Sequence, residues 1–203
     1  GWIMSLDRSP PSPFSRGDLV AQTGSEASAF DARAIQDVGV PQPVLMENAG
    51  RSAALVIQCI FQPSRVVGLV GGGNNGGDAL VVLRTMAAWG LESTAILVAE
   101  RDAADPLLHG WPVSVVRDED LSDSDLSRLL NGADVVVDGV LGTGVRGTPR
   151  DRQAAAIQAM NASSTPVVAL DIPSGADATS GARPGTTVKA ALTISFEIGR
   201  AHV

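Results

Sequence analysis

Residues 65–90 read RVVGLVGGGNNGGDALVVLRTMAAWG, an apolar β-branched run, a glycine-dense turn and a helical segment predicted over 78–89. A buried strand that enters a helix through such a turn is typical of α/β proteins that hold phosphates at helix N-termini. The turn lacks the lysine of a nucleoside-triphosphate loop and ends instead in Asp78. The stretch therefore predicts an α/β fold and leaves open what this carboxylate does.

The rest of the chain after Pro63 alternates short apolar runs with helical segments, as in parallel strands joined by helical crossovers. Because the runs are apolar at successive positions, both faces of the sheet are expected to be covered, which predicts a doubly wound three-layer α/β sandwich with a mostly parallel central sheet. Strands are predicted within 66–70, 93–99, 112–116, 133–140, 165–172 and 191–196, and helices within 25–39, 45–61, 78–89, 122–131 and 150–161.

Length and composition favour one soluble domain. The 203 residues are 44% hydrophobic, which is enough for one packed core. Residues 1–24 are rich in proline, serine and charge and are predicted to be a disordered leader, so that the folded domain covers 25–203. The single cysteine, Cys59, has no partner in the chain and is expected to be buried.

Charge and hydropathy exclude several classes of partner. A net charge of −7 gives no basic field for nucleic acid or an anionic membrane surface. No apolar run reaches the roughly 18 residues of a membrane span, and the first residues lack the order of a secretory signal. A cytoplasmic protein that binds neither nucleic acid nor membrane is therefore expected.

Three loops with unusual chemistry follow predicted strands. They cover 71–78, 138–147 and 171–175. Because the carboxyl ends of parallel strands meet at one edge of the sheet, where ligands bind, all three loops are expected to share that edge.

The first loop also matches a dinucleotide fingerprint. Gly71, Gly73 and Gly76 satisfy GxGxxG, and Glu100 ends the next predicted strand, where an acidic residue binds a ribose hydroxyl. This pattern keeps an NAD-dependent oxidoreductase as an alternative. Against it, Asp78 is predicted in the first helical turn, where it would compete with the pyrophosphate.

Four motifs together resemble the NAD(P)HX epimerase family, the YjeF N-terminal domain. They are LMENAGR (45–51), NNGGDALV (74–81), VVVDGVLGTGVRG (135–147) and LDIPSG (170–175), in this order within 25–196. The resemblance implies a Rossmann-like fold and a small-molecule substrate, hydrated NADH or NADPH (NADHX or NADPHX). The R and S forms of this substrate are interconverted at its hydroxyl-bearing ring carbon.

The resemblance also implies the residues of the site. A potassium ion is assigned to Asn75, Asp138 and Ser174, whose amide, carboxylate and hydroxyl oxygens suit a large hard cation. Taken singly, these three are ordinary turn, strand-end and cap residues, so the assignment depends on their convergence. The substrate site is assigned to Asn74, Asn75, Gly76, Gly77, Asp78, Gly142, Thr143, Gly144, Val145, Arg146, Gly147, Thr148 and Asp171.

Asp171 is the predicted catalytic residue. The reacting carbon bears a hydroxyl and a ring nitrogen, so a proton given to the hydroxyl lets the nitrogen expel water, which then re-enters from either face. One carboxylic acid is sufficient for this exchange, and no redox step is needed. The alternative is that Asp171 only anchors its turn or a substrate hydroxyl.

Other residues suggest weaker hypotheses. His109 and His202 lack metal-ligand spacing, and Ser174 lies in PSG rather than in the GxSxG of hydrolases. Glu47 and Arg51 have the i,i+4 spacing of a helical ion pair. A non-catalytic scaffold domain of the same fold is a second alternative function.

The final residues depart from the family pattern. EIGRAHV follows the last predicted strand where relatives continue into a further loop, so the chain is predicted to be truncated after residue 196. By the same resemblance, the full-length protein is expected to be fused to an ADP- or ATP-dependent NAD(P)HX dehydratase domain. The fold is compatible with a homodimer, although the sequence shows no interface.

Overall fold

The computed structural model describes residues 41–102, 105–142, 151–176 and 187–196. The predicted leader and the predicted helix over 25–39 lie outside these ranges. In chain order the described elements are α1 (Gln42–Phe61), β1 (Arg65–Val70), α2 (Asn74–Ala88), β2 (Glu92–Leu97), β3 (Ser114–Arg117), a 3-10 turn (Asp118–Asp120), α3 (Asp123–Asn131), β4 (Val135–Gly139), α4 (Asp151–Ala162), β5 (Val167–Leu170) and β6 (Leu192–Ile194).

The described strands form one sheet in the order β3-β2-β1-β4-β5-β6. Every pairing between them is parallel. The order reverses between β1 and β4, where Leu69 is in register with Asp138 and Val70 with Gly139. Such a reversal opens a crevice at the carboxyl edge of the sheet, because the connections on its two sides run in opposite directions.

Helices cover both faces of the sheet, as the apolar strands predict. On one face Ile57 of α1 and Leu83 of α2 pack with Val66 and Val70 of β1. On the other face Leu130 of α3 and Ile157 of α4 pack against strand side chains that point the opposite way, such as Val67 of β1. The two buried clusters confirm the doubly wound three-layer sandwich.

Two smaller expectations are wrong. Cys59 is exposed on α1 and not buried, because Ile57 takes the inward position of that turn. Glu47 does not pair with Arg51, which is exposed. The Glu47 carboxylate instead forms an ion pair with Arg84 of α2. The Arg84 guanidinium also lies 4.7 Å from the centroid of the Trp111 ring, so this contact joins α1, α2 and the segment before β3.

Candidate active site

Three strand ends meet at the crevice. β1 leads into Gly71–Gly73 and α2, β4 ends at Gly139 and continues to Gly142, and β5 leads into 171–175. β4 pairs with both β1 and β5, so the three loops are neighbours at one edge of the sheet. The predicted shared edge is therefore observed for the described parts of the three loops.

The backbone of Leu141 connects three of the predicted site residues. The side-chain amide of Asn75 donates to the Leu141 carbonyl at 2.9 Å. The Leu141 N–H donates to the Ser174 hydroxyl at 2.8 Å, and that hydroxyl donates to Asp138 Oδ1 at 2.5 Å. The Ser174 N–H donates to Asp138 Oδ2 at 2.8 Å. Asn75, Ser174 and Asp138 thus belong to one buried polar cluster built from three loops.

Asp138 is fully buried in this cluster. Its burial raises the pKa of the carboxyl to about 6, although the hydrogen bonds from the Ser174 side chain, the Ser174 backbone and the Val140 backbone work in the opposite direction. A buried carboxylate is costly unless a positive charge or strong donors compensate it. A cation beside Asp138 would favour its ionised form.

Asn75 carries a second sign of a ligand. Its Oδ1 atom is buried and has no hydrogen-bond partner, whereas its Nδ2 atom is satisfied by Leu141. Leaving a buried amide oxygen unpaired costs about 1–3 kcal/mol. Within the described residues, no three His, Cys, Asp or Glu side chains gather where they could hold a metal ion. A cation at this place would therefore be held by a mixed set of oxygens, from an amide, a hydroxyl and one carboxylate.

Asp171 lies beside this cluster in a strained conformation. A Cβ atom added to Gly142 would lie 3.1 Å from Asn75 Cβ and 3.8 Å from Asp171 Oδ2, so both side chains flank Gly142. Asp171 has φ of +70°, and the Ile172 N–H donates across it to the Leu170 carbonyl at 2.9 Å. This is the rarer, left-handed form of the γ-turn, which non-glycine residues adopt only under constraint. Strain at a buried carboxyl next to a polar cluster is typical of functional sites.

The glycines of the first loop serve close packing. A Cβ on Gly71 would overlap the Val140 carbonyl, one on Gly76 would overlap the Gly71 carbonyl, and one on Gly139 would lie 2.5 Å from Ala79 Cβ. These positions bring the first turn of α2 against the backbone that follows β1 and β4. Gly71 and Gly76 of the GxGxxG pattern therefore serve the contact between α2 and the sheet, whereas a Cβ on Gly73 would meet nothing within 4 Å.

The start of α2 corrects the prediction for Asp78. The helix begins at Asn74 and not at 78, so Asn74–Gly77 form its first turn and Asp78 lies in the second. Asp78 is buried on α2, only 2% exposed, and is not an N-terminal residue that competes for a phosphate. The sequence missed the early start because glycine and asparagine are poor helix formers, whereas here packing overrides propensity.

Arg101 is a residue that the sequence analysis missed. Its guanidinium donates to the carbonyls of Gly71 at 3.0 Å and Gly73 at 3.1 Å, and forms a two-pronged contact with Asp105 at 3.1 and 2.9 Å. Arg101 therefore fixes the loop that precedes Asn75. Its position directly after a buried strand, at the same edge as the other loops, was the signal that could have identified it.

The remaining predicted residues divide by position. Asn74, Gly76 and Gly77 lie in the first turn of α2, and Gly142 ends the described part of the second loop. His109 lies in the turn before β3. The predicted site residues Thr143, Gly144, Val145, Arg146, Gly147 and Thr148, together with His202, lie outside the described residues.

The fold is a Rossmann-like α/β domain with a buried polar cluster at the point of strand reversal, where such folds bind ligands. No described helix is long and apolar enough to cross a membrane. The family model for the YjeF-related protein N-terminus matches residues 42–200, and the chain belongs to this family.

Relatives of known name agree with this membership. The chain is 40% identical over 185 residues to a bifunctional NAD(P)H-hydrate repair enzyme of Thermanaerovibrio acidaminovorans, which covers 88% of this chain and 36% of that protein. It is 34% identical to the NAD(P)H-hydrate epimerase of Rhodopirellula baltica (88% and 75% covered) and 32% identical to that of Limosilactobacillus fermentum (89% and 86%). The chain thus spans about a third of the bifunctional relatives and most of the epimerases.

A solved structure has the same fold. The crystal structure of yeast ynu0 superposes with a TM-score of 0.70 over 87% of this chain and 79% of that one, at 21% sequence identity. This likeness supports the Rossmann-like architecture.

Proposed function

We propose that the protein interconverts the R and S epimers of hydrated NADH and NADPH. The observation that carries the proposal is the placement of Asp171, strained and buried, beside the cluster of Asn75, Asp138 and Ser174. Two relatives that this chain covers over most of their length are named NAD(P)H-hydrate epimerase, which supports the same reaction. The bifunctional relatives are longer than this chain. A dehydratase activity in a fused second domain of the full-length protein stays a prediction.

The reaction we propose exchanges one proton and one water. The Asp171 carboxyl donates its proton to the substrate hydroxyl, the carbon–oxygen bond breaks, and the ring nitrogen lone pair forms a planar iminium-like centre. Water adds to either face of that carbon and returns a proton to the Asp171 carboxylate, so that atoms and charge balance. General acid–base catalysis of this kind typically supplies about 10²–10⁴-fold.

The φ of +70° at Asp171 suits this role. The Asp171 carboxylate lies beside Gly142, where a Cβ would be 3.8 Å from Asp171 Oδ2 and 3.1 Å from Asn75 Cβ, so the glycine keeps the space between these two side chains open. Asp78, buried in the second turn of α2, is the other carboxyl of the proposed substrate site. We assign the second loop, including Arg146, to the phosphates, as its glycine content suggests.

We further propose that potassium binds to Asn75, Asp138 and Ser174. The unpaired Asn75 Oδ1 atom and the buried Asp138 carboxyl are the two features that a cation would satisfy, and all three side chains offer hard oxygen ligands. When bound, potassium supplies a fixed positive charge that holds the three loops together next to Asp171. The cytoplasmic setting and a homodimer stay predictions.

The test uses a separated epimer as substrate. The purified protein is mixed with S or R NADHX in KCl or in choline chloride of equal ionic strength, and chromatography follows the epimer ratio. We expect rapid equilibration in KCl, slower equilibration in choline chloride, and loss of turnover in Asp171→Asn with unchanged circular dichroism. Full turnover by Asp171→Asn would remove Asp171 from the mechanism, and no epimerisation by the wild type would contradict the proposed function.

A further inference from the structure

A second cleft opens beyond the carboxyl ends of β2 and β3. It is open to solvent and is lined by Glu100 and Arg101 after β2, Arg117 and Glu119 at and after β3, and Arg152 in the first turn of α4. None of these residues is used by the reaction proposed above. Arg101 is held by Asp105 and by the Gly71 and Gly73 carbonyls, so the two arginines left to explain are Arg117 and Arg152, which share Glu119.

The cleft adjoins the loops of the proposed substrate site. Arg101 lines it and also holds the carbonyls of Gly71 and Gly73. A Cβ on Gly72 would lie 3.5 Å from the Glu100 carbonyl, so the glycine-rich loop packs against a residue that lines the cleft. Arg152 stands at the start of α4, directly after the second loop of the family motif.

The strand order gives the separation between the cleft and Asp171. Asp171 follows β5, and β3 is four strands away in the order β3-β2-β1-β4-β5. At about 4.8 Å between neighbouring strands, the cleft beyond β2 and β3 lies roughly 14–19 Å from Asp171, which suits an extended dinucleotide. In Rossmann-like folds a dinucleotide crosses the strand reversal, and residues at the end of β2 meet the adenosine ribose.

The charges of the cleft converge on one point. Arg117 Nη1 lies 3.5 Å from Glu119 Oε1, and Arg152 Nη2 lies 3.0 Å from Glu119 Oε2. Two guanidinium groups from different elements thus bind a single carboxylate, and all three side chains are about half exposed. A phosphate monoester carries more charge and more acceptor oxygens than this carboxylate, so it can replace Glu119 between the two arginines.

We propose that this cleft binds the adenosine end of the substrate and that Arg117 and Arg152 bind the 2′-phosphate, which NADPHX carries and NADHX lacks. The inference rests on the proposed function for the identity of the dinucleotide. Glu119 keeps the two arginines together when no phosphate is bound and competes with the phosphate when it arrives. The cleft therefore sets the preference between the two substrates.

The test compares the two substrates in matched variants. Arg117→Gln and Arg152→Gln are each expected to lower the ratio of kcat/KM for NADPHX to kcat/KM for NADHX about tenfold, the effect of one charge-assisted contact. Glu119→Gln is expected to raise the same ratio, since it removes the competing charge. Arg128→Gln, which removes an exposed arginine of α3 that does not line the cleft, is the control and leaves the ratio unchanged.

A binding measurement separates this inference from the proposed function. Adenosine 2′-monophosphate is expected to raise the melting temperature of the wild type more than adenosine does, and Arg117→Gln and Arg152→Gln are expected to remove that difference. This outcome supports the cleft even if neither epimer is turned over. An unchanged substrate ratio in both arginine variants, or equal stabilisation by the two ligands, would overturn the inference.

Discussion

Replacing Asn75 by alanine tests the candidate cation site through stability and independently of turnover. In the absence of a cation, the wild type has one favourable contact at this residue, from Nδ2 to the Leu141 carbonyl, and one unpaired buried atom, Oδ1. The hydrogen bond contributes about 0.5–1.5 kcal/mol, and the unpaired oxygen costs about 1–3 kcal/mol. The variant loses both, so its stability without potassium is expected to stay within about 1 kcal/mol of the wild type or to rise slightly.

Potassium changes this balance only in the wild type. The ion would satisfy Asn75 Oδ1 and offset the burial of the Asp138 charge, whose pKa of about 6 corresponds to about 3 kcal/mol of unfavourable ionisation. The ion gives up part of its hydration, so we expect a net stabilisation of about 1–3 kcal/mol, similar to that of a ligand at up to 100 times its Kd. For a chain of this size that is a rise in melting temperature of about 2–12 °C.

Calorimetry measures this shift in KCl against choline chloride at equal ionic strength. The matched control is Asn161→Ala, because Asn161 is satisfied at both groups, donating to the Thr187 carbonyl at 2.8 Å and accepting from the Lys189 N–H at 2.8 Å. That variant is expected to be destabilised and to keep the full potassium shift. A wild type that does not respond to potassium, or an Asn75→Ala variant that responds equally, would refute the site.

Three further predictions concern strain, packing and pH. The free energy of unfolding of Asp171→Gly in urea is expected to be about 1–2 kcal/mol higher than that of Asp171→Ala, because glycine adopts φ of +70° without strain. Equal stability of the two variants would contradict the strained turn. Gly76→Ala overlaps the Gly71 carbonyl and is expected to prevent folding or lower the melting temperature strongly, whereas Gly73→Ala, with nothing within 4 Å, is expected to be tolerated by the same measure. Asp134 accepts the Ser64 and Arg65 N–H groups at 2.9 Å, and these bonds lower its pKa. The stabilisation by Asp134 is therefore present above the unfolded pKa of about 3.9 and is lost as the pH falls through the lower folded pKa. The difference in free energy of unfolding between the wild type and Asp134→Ala, measured in urea, should shrink on acidification. A difference that does not change with pH would mean that these bonds are unimportant.

The fold was predictable from local patterns because each strand is buried on both faces. Runs such as VVGLV and DVVVDG carry apolar side chains at successive positions, and in the structure alternate members enter the two clusters on opposite faces. The predicted element boundaries were less accurate where packing and helix propensity favour different conformations. The start of α2 moved from 78 to Asn74 because packing of Gly76 and Gly71 holds a turn that asparagine and glycine would not form alone.

Site residues were predictable as members of loops, and the contacts between them were not. The motifs place Asn75, Asp138 and Ser174 at one sheet edge, but only the structure has Leu141 at the centre of their hydrogen bonds. The conformation of Asp171 could not be predicted from its residue type, because aspartate rarely adopts positive φ. Arg101 belongs to no motif, and its role emerges only when β2 lies next to β1 in the sheet.

The glycine fingerprint shows why a motif must be interpreted through its contacts. In a dinucleotide fold the second glycine lets a pyrophosphate approach and the third lets the helix pack on the strand; here Gly71 and Gly76 of the pattern, together with Gly139 of β4, serve close packing. That approach places the Asn75 side chain within reach of the Leu141 carbonyl and leaves Oδ1 buried beside Gly142. A side chain at Gly76 would push the first turn of α2 outward and take Asn75 away from Leu141. Gly71 and Gly76, two glycines of the phosphate-loop-like pattern, are therefore a cause of the candidate cation site.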